Sequence, residues 1–294
     1  MSFDPRETVG SPGAPLSDVS VGDPPERLLA ARYGQAQPPL PAQPWNDVVA
    51  SLLSHRSVRA YLPKALPDGT LETLVAAAQS ASSSSNLQTW SVVAVTDPAR
   101  KDRLATLAAD QDSLREAPLL LVWLADLSRL QRLGDERGHA VEGLAYLELL
   151  FVAIIDAALA AQNALVAAES LGLGGVYIGA MRNRPTEVAA ELGLPPQVFA
   201  VFGLCIGYPD PARQSGVKPR LPPSVVLHRE RYDDVPARDY VSDYDEALQI
   251  FQHDQSMGET PWSERTLQRV RGAGSLSGRD VIRAALDALG FGLR

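Results

Sequence analysis

Two short segments gather the groups that could hold an anion. His55-Arg-Ser-Val-Arg59 places a histidine, a serine and two arginines together, and Lys218-Pro-Arg-Leu-Pro222 adds two cations on a stretch stiffened by prolines. Guanidinium forks match phosphate oxygens, and each charge-assisted hydrogen bond contributes about 1.5–3 kcal/mol. Arg56 and Arg59 are three residues apart, so a helical turn would set them on one face. Taken pair by pair, the same residues equally suit surface ion pairs.

Two further stretches have residue types suited to a planar ligand. The run SSSSNLQTW, Ser82 to Trp90, offers small hydroxyls at Ser83 and Ser85 and amides at Asn86 and Gln88 that both donate and accept. An ordinary polar connection between helix and strand would read the same way. In GGVYIG, Gly174 to Gly179, small residues would let backbone approach a flat ring, or would serve tight packing. The preceding glycines do not make a dinucleotide fingerprint. Gly172 and Gly174 have the first spacing, but Tyr177 occupies the third position, and a helix, not a strand, leads into them. Ser215 to Lys218 matches S-x-x-K formally, yet Gly216 and Pro219 oppose the helix that motif needs. No H-E-x-x-H, G-x-S-x-G or P-loop pattern occurs, and four scattered histidines suggest no metal site.

The elements that must position these groups follow from pattern. Helices are expected at WNDVVASLLSHR, at LETLVAAAQSA with Asp68 or Thr70 as N-cap, and at DPARKDRLATLAA with Pro98 in its first turn. They are also expected at RPTEVAAELGL, DYDEALQIF and RDVIRAALDALGF. WSVVAVT, PLLLVWLAD and VFAVFGLCIGYP read as strands. The run from Leu144 to Ser170 is long enough to span a bilayer, but Glu148, Asp156, Gln162, Asn163 and Glu169 interrupt it. It therefore reads as a central helix ending near Gly172. Elements mix without regular βαβ alternation, which predicts an α+β fold with helices flanking a sheet.

The 294 residues are 45% hydrophobic and 21% charged, so a substantial core needs no metal or disulfide. The single cysteine, Cys205, excludes internal disulfides and suits a reducing cytoplasm as a small buried residue. Residues 1–44 are Pro/Gly-rich around one amphipathic piece, PERLLAARYGQ, and read as an extension without a signal peptide. A net charge of −8 argues against nucleic-acid binding. A local cluster, Arg265, Arg269, Arg271, Arg279 and Arg283, fits a solvated face or an anion site.

Taken together, HRSVR, SSSSNLQ, AQNALVAAESLGLGGVYIGAMRN, FGLCIGYP and KPRLP occur in the order and spacing of one family. Over residues 45–294 the chain resembles the oxygen-insensitive NADPH nitroreductases and NADPH-flavin oxidoreductases. The resemblance implies a central mixed or antiparallel sheet flanked by helices. It also implies a homodimer that exchanges C-terminal arms (here 236–294), with FMN bound at the dimer interface. By motif, His55, Arg56, Ser57 and Arg59 would hold the phosphate and part of the flavin, with Lys218 and Arg220 completing that grip. Ser83 and Gln111 match cofactor-contacting positions. Tyr177, Ile178, Gly179 and Ala180 match the stretch beside the ring, with Arg182 close after. Ser85, Asn86, Gln88, His253 and Arg279 are candidates for substrate or NADPH.

The implied activity is hydride transfer from NADPH, or NADH, through FMN to nitroaromatics, quinones or free flavin. Such an enzyme would be cytoplasmic and act on small molecules without membrane or nucleic acid. A flavin-binding carrier or sensor without turnover is the alternative. Three departures stand out. Asn86 replaces a residue that is often bulky and apolar in relatives. The loop QHDQSMGETPW has His253, not an arginine, as its nearest cation. Asp135 to Glu142 reads as a local insertion.

Overall fold

The computed structural model describes residues 15, 17–34, 44–213, 215–233 and 240–294. In chain order the first elements are α1 (Pro25–Tyr33), α2 (Asp47–Ser54), α3 (Thr70–Gln79), β1 (Trp90–Val95), α4 (Pro98–Leu107) and α5 (Asp112–Glu116). They are followed by β2 (Leu119–Asp126), α6 (Ser128–Arg137), α7 (Leu147–Ser170), β3 (Gly174–Ile178), α8 (Pro185–Leu192) and β4 (Val198–Gly207). The C-terminal part adds α9 (Pro223–Val226), α10 (Tyr240–Asp254), α11 (Trp262–Arg269) and α12 (Ile282–Ala288). The contacts divide the chain into two units, one of residues 1–56 and 216–267, the other of residues 57–215 and 268–294.

The second unit holds an antiparallel sheet in the order β1-β2-β4-β3. Strand β2 is buried throughout, and its side chains alternate between two cores as the pleat requires. Leu120, Val122 and Leu124 join Leu104, Leu114 and Val188 on one face. Leu119, Leu121 and Trp123 meet α3 and α7 on the other, through Leu74, Ala160, Ala164 and Leu165. The predicted α+β layering is what the residues form, and all three sequence-read strands are present. The long run is a core helix whose alanines let α7 lie close against the sheet.

Local chemistry sets the boundaries. The Asp97 carboxylate caps α4 by accepting from the Arg100 N–H at 2.7 Å, with Pro98 at the first helical position. Helix α3 corrects the expected cap: neither Asp68 nor Thr70 serves, and Gly69 stands there at φ +81°, a conformation glycine adopts freely. Gly172 lies one residue beyond the α7 cap, Leu171, at φ +74°. Strand β3, short and glycine-led, and helices α5, α6 and α11 went unread in the sequence. Helix α6, SRLQRLGDER, has too few apolar residues for a clear period.

In the first unit the N-terminal segment is more than an extended arm. Val19, Leu28 and Ala31 are buried with Ala50 and Val217. Most of VGSPGAP and QPPLPAQP, and the 236 boundary, lie outside the described residues.

Candidate functional site

His55, Arg56 and the Lys218–Arg220 stretch, all in the first unit, gather around one buried guanidinium. Arg32, on α1 and 6% exposed, donates from Nη1 to the Lys218 carbonyl at 2.9 Å. From Nη2 it donates to the carbonyls of Leu53 and His55, both at 2.8 Å. The His55 and Lys218 backbones are thereby fixed to a common point. The Arg32 carbonyl in turn accepts from the Arg220 N–H at 2.7 Å, and Val217 donates to the Ser17 carbonyl at 2.8 Å. Arg56 bonds the Val19 carbonyl and lies 3.9 Å from the Asp18 carboxylate. The Lys218 ammonium stands 5.6 Å from the centre of the Phe251 ring. Arg220 is exposed and borders a cavity of about 400 Å³ that Ala30, Tyr33, Pro219, Tyr244 and Phe251 also line.

One expectation fails here. HRSVR is not helical: α2 ends at Ser54, His55 takes the cap position with ψ 134°, and the next residues are extended. Arg56 and Arg59 therefore do not share a face, since in extended chain it is alternate residues that do.

In the second unit Ser57 pairs in parallel with Gly175, and Val58 N–H donates to the Gly175 carbonyl at 3.0 Å. This sets Ser57 to Arg59 alongside the strand that runs into Tyr177 to Ala180. The glycine pair permits it. A Cβ on Gly174 would lie 2.4 Å from Val58 Cγ2, and one on Gly175 would lie 2.8 Å from Leu165 Cδ1. Tight packing thus explains Gly174 and Gly175. Gly179 differs: the three atoms nearest to a Cβ there belong to the guanidiniums of Arg182 and Arg279, at 3.5–3.9 Å, an ordinary contact distance. Ile178 is buried in the core, so only its backbone can face a ligand. Tyr177 stacks edge-on against Phe202 and donates to Gln162 Oε1 at 3.3 Å. Burial, then the nearby Glu169 carboxylate, raises the phenol's pKa.

Arg182 and Arg279 form a cationic pair. Burial, then Arg279, lowers the pKa of Arg182, and burial, then Arg269, lowers that of Arg279. The Arg279 Nε donates to Asn183 Oδ1 at 2.8 Å. Arg182 bonds the carbonyl of Val201, where β4 bulges: Trp123 pairs with Phe202 but Leu124 with Ala200. The extra residue leaves a carbonyl outside the ladder for the guanidinium to take.

The serine run is the helix-to-strand connection, and Asp156 organises it. This α7 carboxylate, 1% exposed, accepts from Ser83 Oγ at 2.6 Å and from the Ser84 N–H at 3.2 Å. It also accepts from the Thr89 N–H and Oγ1, at 3.3 and 3.2 Å. Ser83 Oγ in turn accepts from the Gln88 N–H at 2.9 Å. The Ser83 hydroxyl donor is thus committed inside the loop. Arg129 on α6 clasps the outer side, donating to the carbonyls of Gln88 and Trp90. Between these anchors Ser85, Asn86 and Gln88 all have positive φ, 49°, 54° and 52°. All three are exposed, with the Gln88 amide donating to Asn86 Oδ1 at 3.2 Å. Asparagine tolerates the left-handed region better than a bulky residue does, which accounts for Asn86.

Gln111 caps α5, and among the described residues its amide bonds the Ala108 carbonyl (3.0 Å) and none of the other candidates. His253 lies exposed in the last turn of α10, in the first unit. Asp135 to Glu142 is the end of α6 and the start of a 3-10 turn. Arg32, Asp156 and Arg129 were not singled out as site residues in the sequence. Asp156 alone left a signal, as a charge inside an apolar run.

Each unit, taken by itself, has groups that suit part of a flavin mononucleotide: the first the cations Arg56, Lys218 and Arg220, of the charge a phosphate needs, the second a glycine flanked by two guanidiniums, suited to a flat, electron-accepting ring. Residues 52–208 match the nitroreductase family, and residues 218–294 match the C-terminal domain of that family. An FMN reductase (NADPH) of Bacillus subtilis is 40% identical over 232 residues, covering 77% of this chain and 92% of the relative.

The chain belongs to the nitroreductase family. An oxygen-insensitive NADPH nitroreductase of Salmonella typhimurium is 41% identical over 203 residues, 69% of this chain and 81% of its own. The NADPH:FMN oxidoreductase of Vibrio harveyi, solved with NAD+, is 34% identical with a TM-score of 0.75. That match covers 85% of this chain and all of the other. Residues 1–51, with Arg32 among them, precede the family match.

Proposed function

We propose that this FMN-dependent oxidoreductase of the nitroreductase family takes hydride from NADPH or NADH in one half-reaction. In the second it delivers hydride to a nitroaromatic, a quinone or free flavin. When bound, FMN supplies the two-electron chemistry, and the chain supplies position and charge. His55, Arg56, Ser57, Arg59, Lys218 and Arg220 grip the phosphate and the polar edge of the ring. Gly179 lets the Tyr177–Ala180 backbone lie flat beside the ring, and Arg182 and Arg279 hold an anionic group of the nucleotide. Ser85, Asn86 and Gln88 present hydrogen-bonding groups to whichever substrate is bound. No side chain is assigned as general acid or nucleophile.

The observation that carries this reading is the pairing of Ser57 with Gly175, which sets two of the family's flavin-directed stretches side by side. A homodimer is supported by α7, which exposes Leu147, Phe151, Ile155 and Leu159 at every fourth position. Such a stripe suits a second copy of the chain. On this reading residues 45–294 work as one FMN-binding domain, with the arm from 236 exchanged between copies and 1–44 as an extension.

Steady-state rates with donor and acceptor varied together test the two half-reactions. Parallel double-reciprocal lines are expected for NADPH against a quinone; intersecting lines would contradict separate half-reactions.

A further inference from the structure

The role of the N-terminal extension follows from Arg32. We infer that Arg32 is a positioning residue for the cofactor phosphate, and that the extension carrying it is thereby part of the flavin site. The inference rests on the FMN reading above.

Leu53 and His55 carry carbonyls at the end of α2, where helix geometry leaves them without intrahelical partners. Lys218 lies in an irregular stretch, where its carbonyl has no ladder partner and accepts besides from Arg220 Nη1 at 3.3 Å. One planar guanidinium satisfies all three carbonyls, at 2.8–2.9 Å. An ammonium, a point donor on a flexible stem, cannot reproduce that fork. Burial among Leu28, Ala31 and Val217 fixes α1, and with it the place of the guanidinium. The surrounding extension adds Ser17 O to Val217 N–H, Val19 O to Arg56 and Arg32 O to Arg220 N–H. The segments His55–Arg56 and Lys218–Arg220 are thus hydrogen-bonded along their length to residues that precede the family match. A dianionic phosphate is held well only if its cations are already placed, since ordering them on binding costs affinity.

The test compares FMN with riboflavin, which lacks the phosphate. Dissociation constants of both are measured on flavin-free, full-length protein by quenching of flavin fluorescence, for the unaltered chain, Arg32→Met and Arg32→Lys. Arg32→Met is expected to weaken FMN about tenfold or more, the equivalent of one charge-assisted hydrogen bond, and to weaken riboflavin clearly less, so that the ratio of the two affinities falls. Arg32→Lys should fall between. An unchanged FMN-to-riboflavin ratio overturns the inference, whether both affinities fall together or neither does. Should Arg32→Met not fold, the same ratio in Arg32→Lys decides. Unaltered protein that binds neither flavin, or binds both equally, overturns the cofactor reading itself, and that failure shows before any variant is made.

Discussion

The serine loop and the phosphate segments are built on the same plan with opposite signs. Each is an irregular stretch pinned by one buried ionic side chain on a helix. Asp156 gathers N–H and O–H donors from the loop; Arg32 gathers carbonyls from α2 and from Lys218. The difference lies in provenance. Asp156 sits on the core helix inside the matched family region, whereas Arg32 sits on a helix that precedes it. One anchor belongs to the scaffold and holds a loop with three left-handed residues. The other lies outside the family match and holds the backbones of His55 and Lys218. Irregular backbone needs a buried partner, and here one of the two partners lies outside the family match.

The contrast makes the two anchors separable. Asp156→Ala should cost the most stability, about 3 kcal/mol or more, because it strands four donors at once, the two of Thr89 fully buried. Urea unfolding of the flavin-free protein measures it, and a loss no larger than that of Arg32→Met would erase the proposed distinction. Next in size is the nucleotide. Arg279→Ala should raise the KM for NADPH about tenfold, the size of one charge-assisted contact, and move NADH less. Equal changes for both nucleotides would remove Arg279 from the role of reading the extra phosphate.

A smaller effect concerns Asp126, a lesser version of the Asp156 anchor, which accepts from Ser91 Oγ at 2.5 Å and Ser128 Oγ at 2.7 Å. Burial, the largest single influence, would raise its pKa, but the Ser91 and Ser128 hydroxyls together with Arg129 outweigh it and hold the carboxyl below the ordinary 3.8. Its stabilisation is therefore complete above that value and lost as pH falls through the lower folded-state pKa. Asp126→Asn should cost about 1–2 kcal/mol at neutral pH, with the gap to the unaltered protein closing in acid. A gap that stays constant with pH would contradict the assignment.

How much of this was legible in the sequence depends on which force sets each feature. The three long strands and the core helix α7 announce themselves through apolar runs, because burial of whole side chains dominates their energetics. The family's motifs were legible as a set, since residue type and order survive without coordinates. Their conformation was not: HRSVR is extended because Ser57 pairs with Gly175, a contact far along the chain. Gly174 and Gly175 admit two explanations from sequence, and only the approach of Val58 and Leu165 selects packing. Arg32 was illegible, because an arginine in an amphipathic helix carries no mark of the carbonyls it will meet.

The most direct measurement is anaerobic titration of the FMN-loaded protein with NADPH, followed by addition of a quinone once the nucleotide is spent. Stoichiometric bleaching of the flavin absorbance is expected, with full return of colour once the acceptor is added. Bound flavin that neither NADPH nor NADH bleaches would contradict it and leave a flavin carrier in its place.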